Sequence, residues 1–139
     1  AFARSVIGTY LEEMLALCKW GRFSVIGHLT LPLRYLNEHL GMHVTFDGFE
    51  DALAEIFRTI IPKGIGIELN TNRGHTPLPD REILRLYREL GGELITLGSD
   101  AHTPDFVGCV IRERQQLLRD CGFRYFATYE QLKPVYHTL

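Results

Sequence analysis

Apolar residues along this chain switch between a helical and an extended spacing. Ile7, Tyr10, Leu11, Met14, Leu15 and Cys18 recur at i, i+3, i+4 and i+7, which predicts an amphipathic helix over residues 5–19. Gly21 ends it, and Phe23-Ser24-Val25-Ile26 comes next as a short strand running into Gly27-His28. Residues 32–39 add a helical turn or two before Gly41. The helical spacing returns at Phe49, Leu53, Ile56, Phe57 and Ile60, a helix over 48–61 with Asp47 as its N-cap, until Pro62-Lys63-Gly64 breaks it. Residues 65–70 read as a strand and lead into a loop rich in Thr, Asn, Gly and Pro. Pro79 opens a helix with Ile83, Leu86, Tyr87 and Leu90 on one face, stopped by Gly91-Gly92. A further strand spans 94–97. Thr103 then caps a longer helix that Pro104 begins and Gly122 ends, with Val107, Val110, Ile111, Leu117, Leu118 and Cys121 as its stripe. Residues 123–127 form the last strand, and Thr128 to Gln131 has capping-box spacing for a short final turn limited by Pro134.

Strands alternating with helices of this length imply an α/β fold built of βαβ units around a parallel sheet. The crossovers share one hand, so the carboxyl ends of the strands lie on one side. The strands deliver to that side His28, then Glu68 and Asn70, then Asp100 and His102. This edge carries the active site in barrels and open α/β sheets. Asp100 and His102 stand two residues apart after a strand and project the same way in an extended chain, a carboxylate beside an imidazole that suits a divalent metal. Glu68 reads as structural support, and Asn70 is open between a loop cap and a site contact. His75 is an exposed loop histidine, His39, His43 and His137 are ordinary surface or helix-end residues, and Arg112-Glu113-Arg114 is a solvated helix face.

The bulk numbers narrow the field. With 139 residues, 45% of them hydrophobic and 23% charged, the whole of 1–139 is one globular domain rather than two. A formal charge of −2 offers no polybasic surface, so nucleic acid is not an implied partner, and no apolar run approaches a membrane span. The start at Ala1-Phe2-Ala3-Arg4 has no signal-peptide pattern and reads as an internal cut in a longer chain or as the result of Met removal. Cys18, Cys109 and Cys121 are widely spaced, without a C-x-x-C, which fits core thiols in a reducing, cytoplasmic compartment.

Three segments taken together carry a resemblance: Ile26-Gly27-His28-Leu29, Ile67-Glu68-Leu69-Asn70-Thr71, and Leu97-Gly98-Ser99-Asp100-Ala101-His102. In this order they resemble the polymerase-and-histidinol-phosphatase superfamily, nearest its histidinol-phosphatase branch, and the likeness runs on to Cys121-Gly122-Phe123-Arg124-Tyr125. The resemblance implies a distorted (β/α)7 barrel whose multinuclear metal site hydrolyses phosphate monoesters. It implies His28, Asp100 and His102 as metal ligands, with Asp100 and His102 the catalytic pair. Arg73 would correspond to a phosphate-contacting arginine, with Asn70 beside it. The imidazole and carboxylate donors suit zinc, manganese or iron.

The departures from the family pattern are equally plain. Its opening H-x-H strand is missing, and a full barrel needs ~250 residues, so the chain corresponds to a C-terminal part. Thr30 stands where related sequences carry an aspartate two residues after the G-H histidine. The expected partners are a small phosphomonoester and either a second copy of the chain or the missing N-terminal half. A multinuclear site is expected only when that half is present. The alternative is a non-catalytic remnant that persists as a folding or interaction module.

Overall fold

Ile67 and Leu69 alternate with Glu68 and Asn70 in the central strand, and that alternation sets the architecture. The apolar pair faces the helices, and the polar pair faces away from them toward the loops at the strand ends. The computed structural model describes all residues, 1–139. Helix α1 (Phe2–Trp20) precedes strand β1 (Val25–Ile26), and a wide π-type turn, Arg34–His39, lies beyond that strand. Helix α2 (Glu50–Ile60) leads to β2 (Gly66–Asn70), and α3 (Arg81–Glu89) leads to β3 (Ile95–Gly98). Helix α4 (Ile111–Asp120) comes next, followed by β4 (Tyr125–Glu130) and β5 (Lys133–Thr138).

The first three strands form a parallel sheet in the order β1-β2-β3, with Ile26 opposite Ile67 and Asn70 opposite Gly98. Two crossovers, each carrying one α-helix, make this the βαβ pattern read from the sequence. The core lies between sheet and helices. Ile7, Leu11 and Cys18 of α1, Ile56, Phe57 and Ile60 of α2, and Leu84 and Tyr87 of α3 close over Ile67, Leu69 and Ile95. The Tyr87 ring meets Phe57 edge-on and its hydroxyl donates to the Leu94 carbonyl at 2.8 Å, so its one polar atom is satisfied inside the core. Cys18 and Cys121 are buried, and burial pushes the Cys18 thiol up to about 11. No helix is long and apolar enough to cross a membrane.

Three local expectations are corrected. Asp47 does not cap α2: Phe49 occupies that position with no side-chain bond, and the Glu50 carboxylate instead accepts the Gly48 N–H at 2.9 Å. The helix expected from Pro104 is cut short. Pro104–Phe106 makes one 3₁₀ turn with no side-chain cap from Thr103, and Gly108 (φ 67°) and Val110 (φ 49°) then turn left-handed before α4 begins at Ile111. The final helical turn is absent. Gln131 (φ 47°) and Leu132 (φ 65°) form a two-residue loop joining β4 to β5 as an antiparallel hairpin, with Glu130 opposite Lys133. Tyr129 ties this hairpin to the parallel sheet by donating to the Ser24 carbonyl at 3.3 Å.

Asp80 caps α3, its carboxylate accepting the Ile83 N–H at 3.2 Å. Replacing it, Asp80→Ala, is expected to lower stability by about 1 kcal/mol in denaturant unfolding, with an unchanged m-value.

Candidate functional site

The carboxyl ends of all three parallel strands meet at one edge, and side chains tie them together. His28 lies two residues beyond β1, Asn70 ends β2, and Asp100 lies two residues beyond β3. Glu68 accepts the backbone N–H of His28 at 2.8 Å and the Asn70 side-chain amide at 3.1 Å. It therefore supports the edge, as its place in the sequence implies. The opposing strand makes room for it with Gly98, since a Cβ there would overlap the Glu68 carboxylate.

Arg34, on the π-type turn, is the residue that sequence reasoning missed. Its guanidinium donates from Nη1 to Asp100 Oδ2 at 2.9 Å, from Nε to Asn72 Oδ1 at 2.9 Å, and from Nη2 to Asn70 Oδ1 at 3.2 Å. One planar cation thus joins the ends of β2 and β3 to the segment after β1. Asn72 is itself held by Glu38 (2.6 Å) and by the Thr76 carbonyl (2.9 Å). Asn70 is fully buried, and its Oδ1 also accepts the Asn72 N–H at 2.9 Å. Both ends of the Asn70 amide are committed, its Oδ1 capping the loop through the Asn72 N–H, and it meets the cleft through Arg34. Burial pushes the Asp100 carboxyl up, but the Arg34 hydrogen bond and charge outweigh it, with His28 and His102 adding in the same sense. The net result is a pKa below the ordinary carboxylate value.

Arg34, Arg73, His75, Ser99, Asp100 and His102 share one open polar cleft of about 390 Å³. Arg73 packs over the Phe106 ring at 4.9 Å. Arg114 is not a solvated residue: it donates to the carbonyls of Thr71 (3.2 Å) and His75 (2.6 Å) and braces the loop that presents Arg73. Four of the seven non-glycine residues with positive φ stand at this edge, namely His28, Asn72, Arg73 and Asp100. Backbone of that kind is held only where its surroundings fix it, and it clusters at functional sites.

The three residues expected as metal donors do not close into a set. His102 Nδ1 lies 2.7 Å from the Asp100 carbonyl, which fixes the ring and leaves Nε2 free of that bond. His28 Nδ1 is buried with no hydrogen-bond partner, as is Thr30 Oγ1, so the residue in the place of the family's aspartate gives His28 no support. His28 is close enough for its charge to act on Asp100, yet it lies outside the cleft lining. No three His, Cys, Asp or Glu side chains gather closely enough to hold a metal ion. An orphaned imidazole nitrogen, a free one and a carboxylate would fit a divalent metal as part of a ligand set, and in this structure Asp100 Oδ2 is occupied by Arg34.

The ion pair has a pH signature. A carboxyl with a lowered folded-state pKa adds stability above its unfolded value of about 3.9, and that stability is lost as pH falls through the folded value. In Arg34→Met the Asp100 pKa is expected to rise, as read by carboxyl-carbon NMR titration, and this acid-side loss to shrink. An unchanged Asp100 titration would contradict the pairing.

Known proteins point the same way. No protein-family model matches the chain. A probable histidinol-phosphatase of Thermotoga maritima is 31% identical over 121 residues, covering 85% of this chain and 49% of the relative. One from Clostridium acetobutylicum is 26% identical over 137 residues, covering 96% and 50%. The crystal structure of histidinol phosphate phosphatase from Lactococcus lactis, complexed with zinc, L-histidinol and phosphate, superposes with a TM-score of 0.74. It is 26% identical and covers 91% of this chain and 49% of that one. The chain therefore spans about half the length of the relatives it matches. Motifs, fold and relatives agree that it resembles the C-terminal half of a histidinol-phosphatase of the polymerase-and-histidinol-phosphatase superfamily.

Proposed function

We propose that these 139 residues are the phosphate-binding half, and part of the metal-binding set, of a phosphomonoester hydrolase acting on L-histidinol phosphate. The observation that carries this reading is one cleft, at the carboxyl edge of a parallel sheet, that holds Asp100 and His102 together with the cations Arg34 and Arg73. Relatives named histidinol-phosphatase, and a structural neighbour holding zinc, L-histidinol and phosphate, support it. The strand order β1-β2-β3, each strand beside its successor in sequence, suits a segment of a distorted (β/α)7 barrel. Three free cysteines suit a reducing, cytoplasmic setting for histidine biosynthesis.

His28, Asp100 and His102 would hold zinc, manganese or iron, with the remaining ligands supplied by an N-terminal half. A bound divalent metal would polarise the phosphoryl oxygens and lower the pKa of a water so that hydroxide is available near neutral pH. This chain's own residues do the rest. Arg73 and, once released from Asp100, Arg34 present guanidinium groups to the phosphoryl oxygens, a geometry suited to bidentate contact. Asn70 and Asn72 keep Arg34 aimed at the cleft after that release. The backbone carbonyl of Asp100 holds the His102 ring so that Nε2 stays available.

A second reading, a non-catalytic remnant, is favoured by the open ligand set and the unsupported His28. Phosphate release from L-histidinol phosphate in the presence of zinc separates the two. The chain alone is expected to show little or no turnover. Joined to the N-terminal half of the Thermotoga maritima relative it is expected to turn over, and Asp100→Asn is expected to lower the rate at least about 100-fold, beyond the usual cost of losing an outer-shell partner. No turnover by the joined protein would favour the remnant, and full activity of the chain alone would contradict both.

A further inference from the structure

The turn that carries Arg34 also carries an anion that the metal and phosphoryl chemistry leaves without a role. Glu38 lies about one turn on from Arg34 and lines the same polar cleft. Its Oε1 accepts the Asn72 side-chain amide at 2.6 Å, and Asn72 Oδ1 in turn accepts Arg34 Nε at 2.9 Å. One amide group therefore stands between a carboxylate and a guanidinium and fixes both. Asn72 is 2% exposed and also donates to the Thr76 carbonyl at 2.9 Å, so this spacer is itself anchored. Glu38 takes part in no ion pair, and the neutral Asn72 amide is its one hydrogen-bond partner. An exposed glutamate is ordinarily a freely solvated charge. This one is held at the cleft wall with its second oxygen uncommitted, on a turn braced by the edge-to-face contact of Tyr35 and His39 at 5.1 Å.

We infer that Glu38 is the subsite for an ammonium group two carbons from the phosphoryl ester, so that the cleft selects phosphate monoesters of 2-amino alcohols. The inference rests on the function proposed above and names the group that sets its substrate class. When Arg34 Nη1 turns from Asp100 to the phosphoryl group, Nε stays on Asn72 Oδ1, so one amide sets the distance from that group to Glu38. An ester oxygen and two carbons join phosphorus to the ammonium of such a substrate. That short bridge runs alongside the Asn72 amide, with an anion on the guanidinium and a cation on the carboxylate. An ester without the amine brings its phosphoryl charge beside Glu38 with no cation between them, a like-charge contact. Selectivity thus has an attractive part and a repulsive part.

The test compares L-histidinol phosphate with its deamino analogue, 3-(imidazol-4-yl)propyl phosphate, which keeps the ring and the phosphate. Dissociation constants come from NMR titration of the chain, and KM and kcat in zinc from the chain joined to the N-terminal half of the Thermotoga maritima relative. Glu38→Gln keeps an oxygen for the Asn72 amide and removes only the charge. The amine-bearing ester is expected to bind about tenfold more tightly, a preference that Glu38→Gln abolishes and added salt weakens. In turnover the loss is expected in KM, with kcat unchanged, because the ammonium is held alike before and during reaction. Equal binding of the two esters, or a preference that Glu38→Gln leaves intact, would overturn the inference. Weakening of both esters alike by Glu38→Gln would show a bracing role only and overturn it as well. Amine-selective binding without turnover by the joined protein would refute the phosphatase reading and leave the subsite standing. Zinc-dependent turnover of both esters with equal KM would do the reverse.

Discussion

The Arg34–Asp100 ion pair is the contact on which the candidate site depends. Its nitrogen–oxygen distance is 2.9 Å, and the two side chains are 18% and 31% exposed, so the pair is partly shielded rather than fully solvated. The remaining donors of the same guanidinium satisfy the side-chain oxygens of Asn70 and Asn72, both buried. Removing the cation would leave the buried Asn72 Oδ1 without a donor, Asn70 Oδ1 with the Asn72 N–H alone, and a carboxylate without its counter-ion, which is costly in a partly desolvated place. The ends of β1, β2 and β3 are consequently one mechanical unit. Any ligand that takes Asp100 must also resettle Arg34.

That exchange gives the cleft its logic. Under the proposed function, a divalent metal and a guanidinium would compete for one carboxylate, and a displaced guanidinium would remain in the cleft where an anionic substrate needs it. Arg73 is held from outside the contest, by its packing over Phe106 and by Arg114 bracing the surrounding carbonyls. The left-handed backbone at Asn72 and Arg73 turns the loop back toward the edge, so two cations from distant parts of the sequence face the same space. Only the imidazole of His28 stands apart, unsupported by Thr30.

Much of this is legible in the residues. The periodicity of α1, α2 and α3, the parallel strands and the meeting of His28, Glu68, Asn70, Asp100 and His102 at one edge come from apolar spacing and the handedness of βαβ units. Glu68 is recognisable as a support because it alternates with core residues in a strand. Arg34 is not, because a lone cation on a short helical turn carries no periodic signal and its three acceptors lie 36, 38 and 66 residues away. For Asn70 the sequence allows two roles, and its hydrogen bond from the Asn72 N–H is the loop cap among them. The interruption at Gly108–Val110 and the hairpin at Gln131-Leu132 are hidden for another reason. Val110, Gln131 and Leu132 are not residue types that favour positive φ, so beyond the lone Gly108 the local sequence carries no turn signal there.

The central claim is that the site is built by this chain and a complementary half together. Zinc stoichiometry by native mass spectrometry, measured on the chain alone and joined to the N-terminal half of the Thermotoga maritima relative, tests it most directly. The account predicts weak binding of one ion at most by the chain alone, and tight binding of more than one by the joined protein, as a multinuclear phosphoryl-transfer site requires. A tightly held multinuclear centre in the chain alone, or a joined protein that stays free of zinc, would contradict it.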